Sequence, residues 1–195
     1  LSQVRACIYA GTILLNTILT RSGRNTGLLI TRGFKDLIHI QRGHSYIGYS
    51  YADRLHSVTH ELPEPLVPKR LTREVTERVD LYGDVIIPLH EEEIRQSVNE
   101  LLDLGCQALV VSYLFSYMNP VHELRTRDIA RAVMEKRGVD LSIVIASDIA
   151  PRGKETERTL STVIQAYAAE PVRKQLLRVE TKAKEMGFRG NLYTA

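Results

Sequence analysis

Gly11-Thr12 stands where an apolar run, residues 4–10, gives way to a helical pattern, with Asn16 four residues beyond Thr12. A strand, a glycine turn and a helix start together offer backbone N–H groups and a hydroxyl to an anion or a carbonyl oxygen. The alternative is a tight corner in which glycine fits and threonine caps, since one Gly-Thr lacks the full glycine pattern of a phosphate loop. Two charged strings raise the same choice. Glu77-Arg78-Val79-Asp80 alternates charge along an expected strand, which describes a solvated face with an ion pair. Glu157-Arg158-Thr159 falls at an expected helix start, as an ion pair or as a site facing a substrate.

Asn119-Pro120 followed by His122-Glu123 has the ingredients of an acid/base or metal pair. Adjacent residues on a helix diverge by about 100°, however. The string reads better as N-cap, first-turn proline and first-turn acid. His56 and His60 have the spacing of two imidazoles on one helix face, with His39 and His44 nearby. The glutamate of an H-E-x-x-H motif is missing and the segment lacks a strong helical pattern, so no metal site is assigned. Cys7 and Cys106 lie in apolar contexts and read as two buried thiols, neither disulfide nor nucleophile. No Ser-His-Asp or Cys-His arrangement stands out, and no catalytic residue is assigned.

The elements that must position these residues follow from periodicity. Residues 4–10 read as a buried strand, 13–19 as a short amphipathic helix, and 26–31 as the next strand, a β-α-β unit with parallel strands. Residues 39–75 are an excursion from the core, rich in Tyr, Gly and Ser and then in proline, with three prolines within six residues. Tyr46, Tyr49 and Tyr51 there serve either a partner surface or the loop's own packing. Two short strands meet at Tyr82-Gly83-Asp84, and a helix over 91–104 carries three Glu in its first turn. The apolar run 108–115 predicts a strand covered on both faces. A helix from Asn119-Pro120 to Gly138, a third buried strand over 141–148 and two helices separated at Pro171 complete an α/β protein with a mixed, largely parallel sheet.

The chain has 195 residues, 44% hydrophobic and 25% charged, with a net charge of +3. That mix describes a soluble globular protein with a real core. Basic and acidic residues are interleaved, which argues against nucleic acid as a partner. No apolar run approaches a membrane span and no signal peptide is visible. Together with the thiols, this points to the cytoplasm. The opening and closing runs both read as strands, as though cut from a larger protein.

Four strings, "GTILLNTILTRSGRNTGLLITRGFKD", "TERVDLYGDVIIPL", "YLFSYMNPVHE" and "ERTLSTVIQAY", occur in the order and spacing of one family. Over nearly its whole length the chain resembles the hydantoinase A, oxoprolinase and acetone carboxylase family of ATP-dependent enzymes. It departs at Ile13, where the family mostly has a second Thr, and at Gln165-Ala166, where the motif usually ends in Asn-Ala. The excursion is more similar to the ketone carboxylase branch than to the hydantoinase and oxoprolinase branches.

The resemblance implies a lobe of an actin-like, sugar-kinase-like (ASKHA) ATPase. Residues 1–140 would be the remainder of the N-terminal domain and 141–195 the start of the next. It implies ATP and Mg²⁺ as cofactors, held mostly by an Asp-x-Gly-Gly-Thr loop and a later acidic motif outside this chain. Gly11, Thr12, Asn16, Arg78, Glu157, Arg158 and Thr159 would lie near substrate or phosphate. The implied reaction is carboxylation of a ketone, acetone or acetophenone, with ATP activating the enolate or bicarbonate. Ring opening of N-methylhydantoin or 5-oxoproline is one alternative; a non-catalytic lobe that only binds subunits is another. A B-type hydantoinase or carboxylase subunit is the implied partner, and any metal would sit there.

Overall fold

The computed structural model describes residues 4–40, 50–55 and 64–194. Along the chain run β1 (Ala6–Tyr9), α1 (Ile13–Leu19), β2 (Thr26–Thr31), α2 (Leu37–Ile40), α3 (Tyr51–Leu55), β3 (Thr72–Val75), β4 (Arg78–Val79) and β5 (Val85–Ile87). They continue with α4 (Glu91–Asp103), β6 (Ala108–Ser112), α5 (Val121–Lys136), β7 (Ser142–Ile145), α6 (Ala146–Ile149), α7 (Glu155–Glu185) and β8 (Asn191–Thr194). The chain divides into a larger unit, Arg24–Ala166, and a smaller one made of Leu1–Gly23 with Tyr167–Ala195.

The larger unit is built on a parallel sheet in the order β3-β2-β6-β7. Every residue of β2 and β6 is buried, as expected for strands covered on both faces. Gly27 of β2 lies against Leu101 of α4, and the Tyr113 hydroxyl just after β6 meets Thr126 of α5 at 3.0 Å. These contacts put α4 and α5 on one face. Ser112 meets Thr159 at 2.7 Å, which puts the first turns of α7 on the other. The pattern of α4 explains its seat: Ile94, Val98 and Leu101 recur at helical spacing and are buried. Gly105, at φ +73°, ends that helix in the left-handed conformation. β4 and β5 form a separate antiparallel hairpin turning at Gly83, φ +93°. Asp80 Oδ1 braces this turn by accepting from the N–H groups of Tyr82 and Asp84, both at 2.9 Å.

Several expectations are corrected. β1 and β2 do not share a sheet: β1 pairs in parallel with β8 in the smaller unit, from Ala6 opposite Asn191 to Tyr9 opposite Thr194. The local β-α-β reading could not register a partner so distant in sequence. β1 is also not buried, with Ile8 71% exposed and Cys7 exposed. The final strand of the excursion span is β3, which joins the main sheet beside β2. The run 141–148 is strand only to Ile145 and then turns into α6. α5 begins at Val121, one residue past Pro120, with Asn119 Oδ1 accepting from the Val121 N–H at 3.1 Å. Pro171 does not divide two helices but lies inside the 31-residue α7. A proline costs a helix about 3 kcal/mol, and the buried neighbours Tyr167 and Ala168 hold the backbone helical beside it. Tyr167 packs where a side chain on Gly23 would stand, 2.1 Å from a Cβ built there.

The seat of Gly27 gives a stability test. A Cβ at this position would lie 3.0 Å from Leu101 and 3.1 Å from the Cys106 thiol, both buried. Gly27→Ala therefore overpacks the β2–α4 contact and lowers stability by about 1–3 kcal/mol. Urea unfolding would read the change; an unchanged midpoint would show that the contact relaxes freely.

Candidate functional site

In the main sheet β2 is followed by β3 on one side, while β6 pairs on its other side. Open parallel sheets receive ligands at the carboxyl ends of strands where the order reverses in this way. Here those ends carry Thr31, the last residue of β2, and the segment Tyr113–Asn119 after β6. Within that segment Phe115 is left-handed at φ +57°, a strain that a bulky residue adopts only where its surroundings impose it.

A first polar chain crosses this edge. The Leu114 N–H donates to Thr31 Oγ1 at 2.9 Å, and the Thr31 hydroxyl donates to Glu77 Oε1 in a short hydrogen bond. Glu77 Oε2 meets His122 Nδ1 at 2.8 Å. The Glu77 side chain has no exposure and that of His122 only 8%. This corrects the solvated-face reading of the 77–80 string: Glu77 is drawn inward by Thr31 and His122. Its neighbour Arg78 is half-buried, with its guanidinium 5.6 Å from the Phe34 ring centroid. Among the described residues Arg78 Nε has no hydrogen-bond partner.

A second chain starts from Glu123. Its Oε1 accepts from the Tyr113 N–H at 2.9 Å and its Oε2 from the Ser147 N–H at 2.8 Å. Burial pushes this carboxyl above its ordinary range, and the two backbone donors offset that only in part. Arg158 is buried too. Its Nη2 donates to the Tyr113 carbonyl at 2.8 Å and its Nη1 to that of Arg152 at 3.0 Å, with the guanidinium 5.4 Å from the Tyr117 ring centroid. Burial lowers its pKa, opposed by the charges of Glu123 and Glu155.

The residues singled out in the sequence fall into two groups. Arg78, Glu157, Arg158 and Thr159 belong to the larger unit, where Arg158 and Thr159 are tied to the end of β6. Glu157 is half-buried, and its Oε2 has no hydrogen-bond partner among the described residues. Gly11, Thr12 and Asn16 belong to the smaller unit and are exposed. Asn16 Nδ2 donates to Thr12 Oγ1 at 3.3 Å, so that hydroxyl has a local partner. A Cβ on Gly11 would meet the Tyr9 hydroxyl at 3.0 Å. The space beside Gly11 is filled by a ring, and α1 has only seven residues.

The sequence did not single out Thr31. It assigned Glu77 to a charged strand, and His122 and Glu123 to capping. Their available signal was the polar type itself, next to strands otherwise apolar. The Cys106 thiol is pushed up to about 11 by burial, which makes it inert. Among the described residues no three His, Cys, Asp or Glu gather as metal ligands, and no helix is long and apolar enough to cross a membrane. His44, Tyr46, Tyr49, His56 and His60 lie outside the described residues.

The sequence model for the hydantoinase/oxoprolinase N-terminal region matches residues 1–134. The acetone carboxylase beta subunit of Xanthobacter autotrophicus is 40% identical over 188 residues, 96% of this chain and 26% of that protein. The acetophenone carboxylase gamma subunit of Aromatoleum aromaticum is 35% identical, over 93% of this chain and 25% of its own length. In the nucleotide-free structure of acetone carboxylase, a chain matches all of this one with a TM-score of 0.91 at 38% identity, over 28% of that chain. The ATP-dependent caprolactamase of Pseudomonas jessenii matches 99% of this chain with a TM-score of 0.87 at 27% identity, over 27% of its own. The chain thus spans about a quarter of the length of these curated relatives.

Glu123 provides the test of this geometry. In Glu123→Gln the amide NH₂ faces one of the two N–H donors, an expected loss of about 1–3 kcal/mol in urea unfolding. The folded carboxyl titrates above its unfolded value of 4.5. The wild type's advantage is therefore full below that value and shrinks as pH rises through the folded one. A deficit in the variant that grows with pH would contradict the assignment.

Proposed function

The chain belongs to the hydantoinase/oxoprolinase N-terminal family, and from that membership we propose that it is part of the ATP-dependent subunit of a ketone carboxylase. The observation that carries this reading is the likeness, over nearly the whole chain, to subunits named for acetone and acetophenone carboxylases. The chemical logic supports it. An enolate oxygen and bicarbonate are poor reaction partners, and phosphoryl transfer turns one of them into an activated one. ATP supplies the phosphoryl group, and Mg²⁺ spreads its charge.

We place the loops that hold nucleotide in the remainder of the protein, within an actin-like ATPase lobe of which residues 1–140 and 141–195 are successive parts. Gly11, Thr12, Asn16, Arg78, Glu157, Arg158 and Thr159 are proposed to lie near substrate or phosphate. Arg78 fits the role best, since a ring backs its guanidinium and its Nε is uncommitted among the described residues. Arg158 donates both Nη groups to carbonyls, which suits it to hold the loop after β6 rather than to bind an anion. A B-type subunit is the proposed partner, with any metal on its side, in a cytoplasmic hetero-oligomer. The caprolactamase match favours a second reading, ATP-dependent opening of a cyclic amide, which uses the same activation before hydrolysis.

ATP consumption by the full-length protein with its partner subunit separates the two. Turnover is expected with acetone or acetophenone plus bicarbonate, and not with hydantoin, oxoproline or caprolactam. ATP use driven only by the lactams would reverse the assignment. Residues 1–195 alone are expected to hydrolyse no ATP, and clear turnover by them would show that the phosphate machinery lies within this chain.

A further inference from the structure

The Glu77–His122 pair has a feature that capping does not explain. Its hydrogens can be assigned from the donors around it. Thr31 Oγ1 already accepts the Leu114 N–H, so the threonine's own hydrogen goes to Glu77 Oε1. Glu77 Oε2 is left facing His122 Nδ1, and since a carboxylate oxygen only accepts, the ring hydrogen sits on Nδ1. Nδ1–H donates to the carboxylate, which leaves Nε2 with a lone pair. Among the described residues Nε2 has no hydrogen-bond partner, and the His122 side chain keeps 8% exposure. A buried carboxylate that fixes one imidazole nitrogen and frees the other is the geometry of a proton-transfer base.

The location agrees. The pair sits where β2 and β6 end, the edge of the sheet at which parallel α/β folds take ligands. The strained Phe115 lies in the same connection, between Leu114, which starts the chain of hydrogen bonds, and His122, which ends it. We infer that Glu77 and His122 form a dyad whose acting atom is His122 Nε2, the proton acceptor toward a carbonyl substrate bound at this edge.

For the substrate class the inference rests on the ketone reading above. Nε2 takes a proton from the α-carbon of the ketone. The C–H electron pair becomes the new C=C bond, and the carbonyl π pair settles on oxygen as the enolate. The imidazolium so formed keeps its Nδ1–H on Glu77 and later gives the acquired proton to solvent.

The test uses the full-length protein with its partner subunit. His122→Ala should lower turnover by about 10²- to 10⁴-fold. Added imidazole should restore it saturably, with rescue by substituted imidazoles following their basicity, which a packing role does not produce. Glu77→Gln presents an amide NH₂ to Nδ1 and moves the ring hydrogen to Nε2. The same order of loss is expected there, because the tautomer is wrong. Either variant within threefold of wild type, or rescue indifferent to amine basicity, would overturn the dyad. Neutron diffraction of the unmodified protein above neutral pH reads the hydrogen directly: deuterium on Nδ1 and a bare Nε2 support it, and the reverse sinks it. Rescue is measured with whichever carbonyl compound the wild type consumes. A wrong substrate class thus shows in the wild type, and a wrong dyad shows only in the variants.

Discussion

Taking a carboxylate out of water costs several kcal/mol unless donors replace the lost hydration, and the larger unit does this twice at one edge of its sheet. Glu77 and Glu123 are both essentially unexposed. Their replacement donors come from Thr31 at the end of β2, from His122 in α5, from Tyr113 after β6 and from Ser147 in α6. None of these elements can shift without stranding a buried charge. The carboxyl end of the sheet is therefore fixed by electrostatic necessity, while its middle is fixed by apolar packing.

That constraint explains the loop after β6. Tyr113 is held at its N–H by Glu123, at its carbonyl by Arg158 and at its hydroxyl by Thr126. Leu114 is held by Thr31, and Asn119 reaches the Gly83 carbonyl of the β4–β5 hairpin at 2.8 Å. A segment pinned this closely can maintain Phe115 in a left-handed conformation. Strain of this kind persists where a loop must present a surface in one geometry.

The apolar skeleton was legible because its signals are local. The runs that became β2 and β6, the face of α4 and the turn at Gly83 each declare themselves within a dozen residues. What escaped was non-local. The partner of β1 is β8, at the opposite end of the chain, and no periodicity near Ala6 records it. The proline at 171 carried a strong local stop signal that its buried neighbours overrode. Glu77 looked like one more charge in an alternating strand, because its burial depends on Thr31 and His122, each more than forty positions away. A sequence window can register a polar residue. It cannot register the donors that make burying it tolerable.

The adjacency of His122 and Glu123 shows how the same fact supports opposite conclusions at the two levels. Side chains 100° apart cannot act on one another, and on that ground the string reads as capping. In the fold the same divergence sends His122 to the carboxylate carried next to β4, while Glu123 turns to the backbone of Tyr113 and Ser147. The first turn of α5 thus serves both polar chains because its neighbours point apart. A residue pair facing one direction would have satisfied one chain and left the other carboxylate or the loop unheld. The spacing that argued against a His-Glu pair is what lets each residue take a different partner.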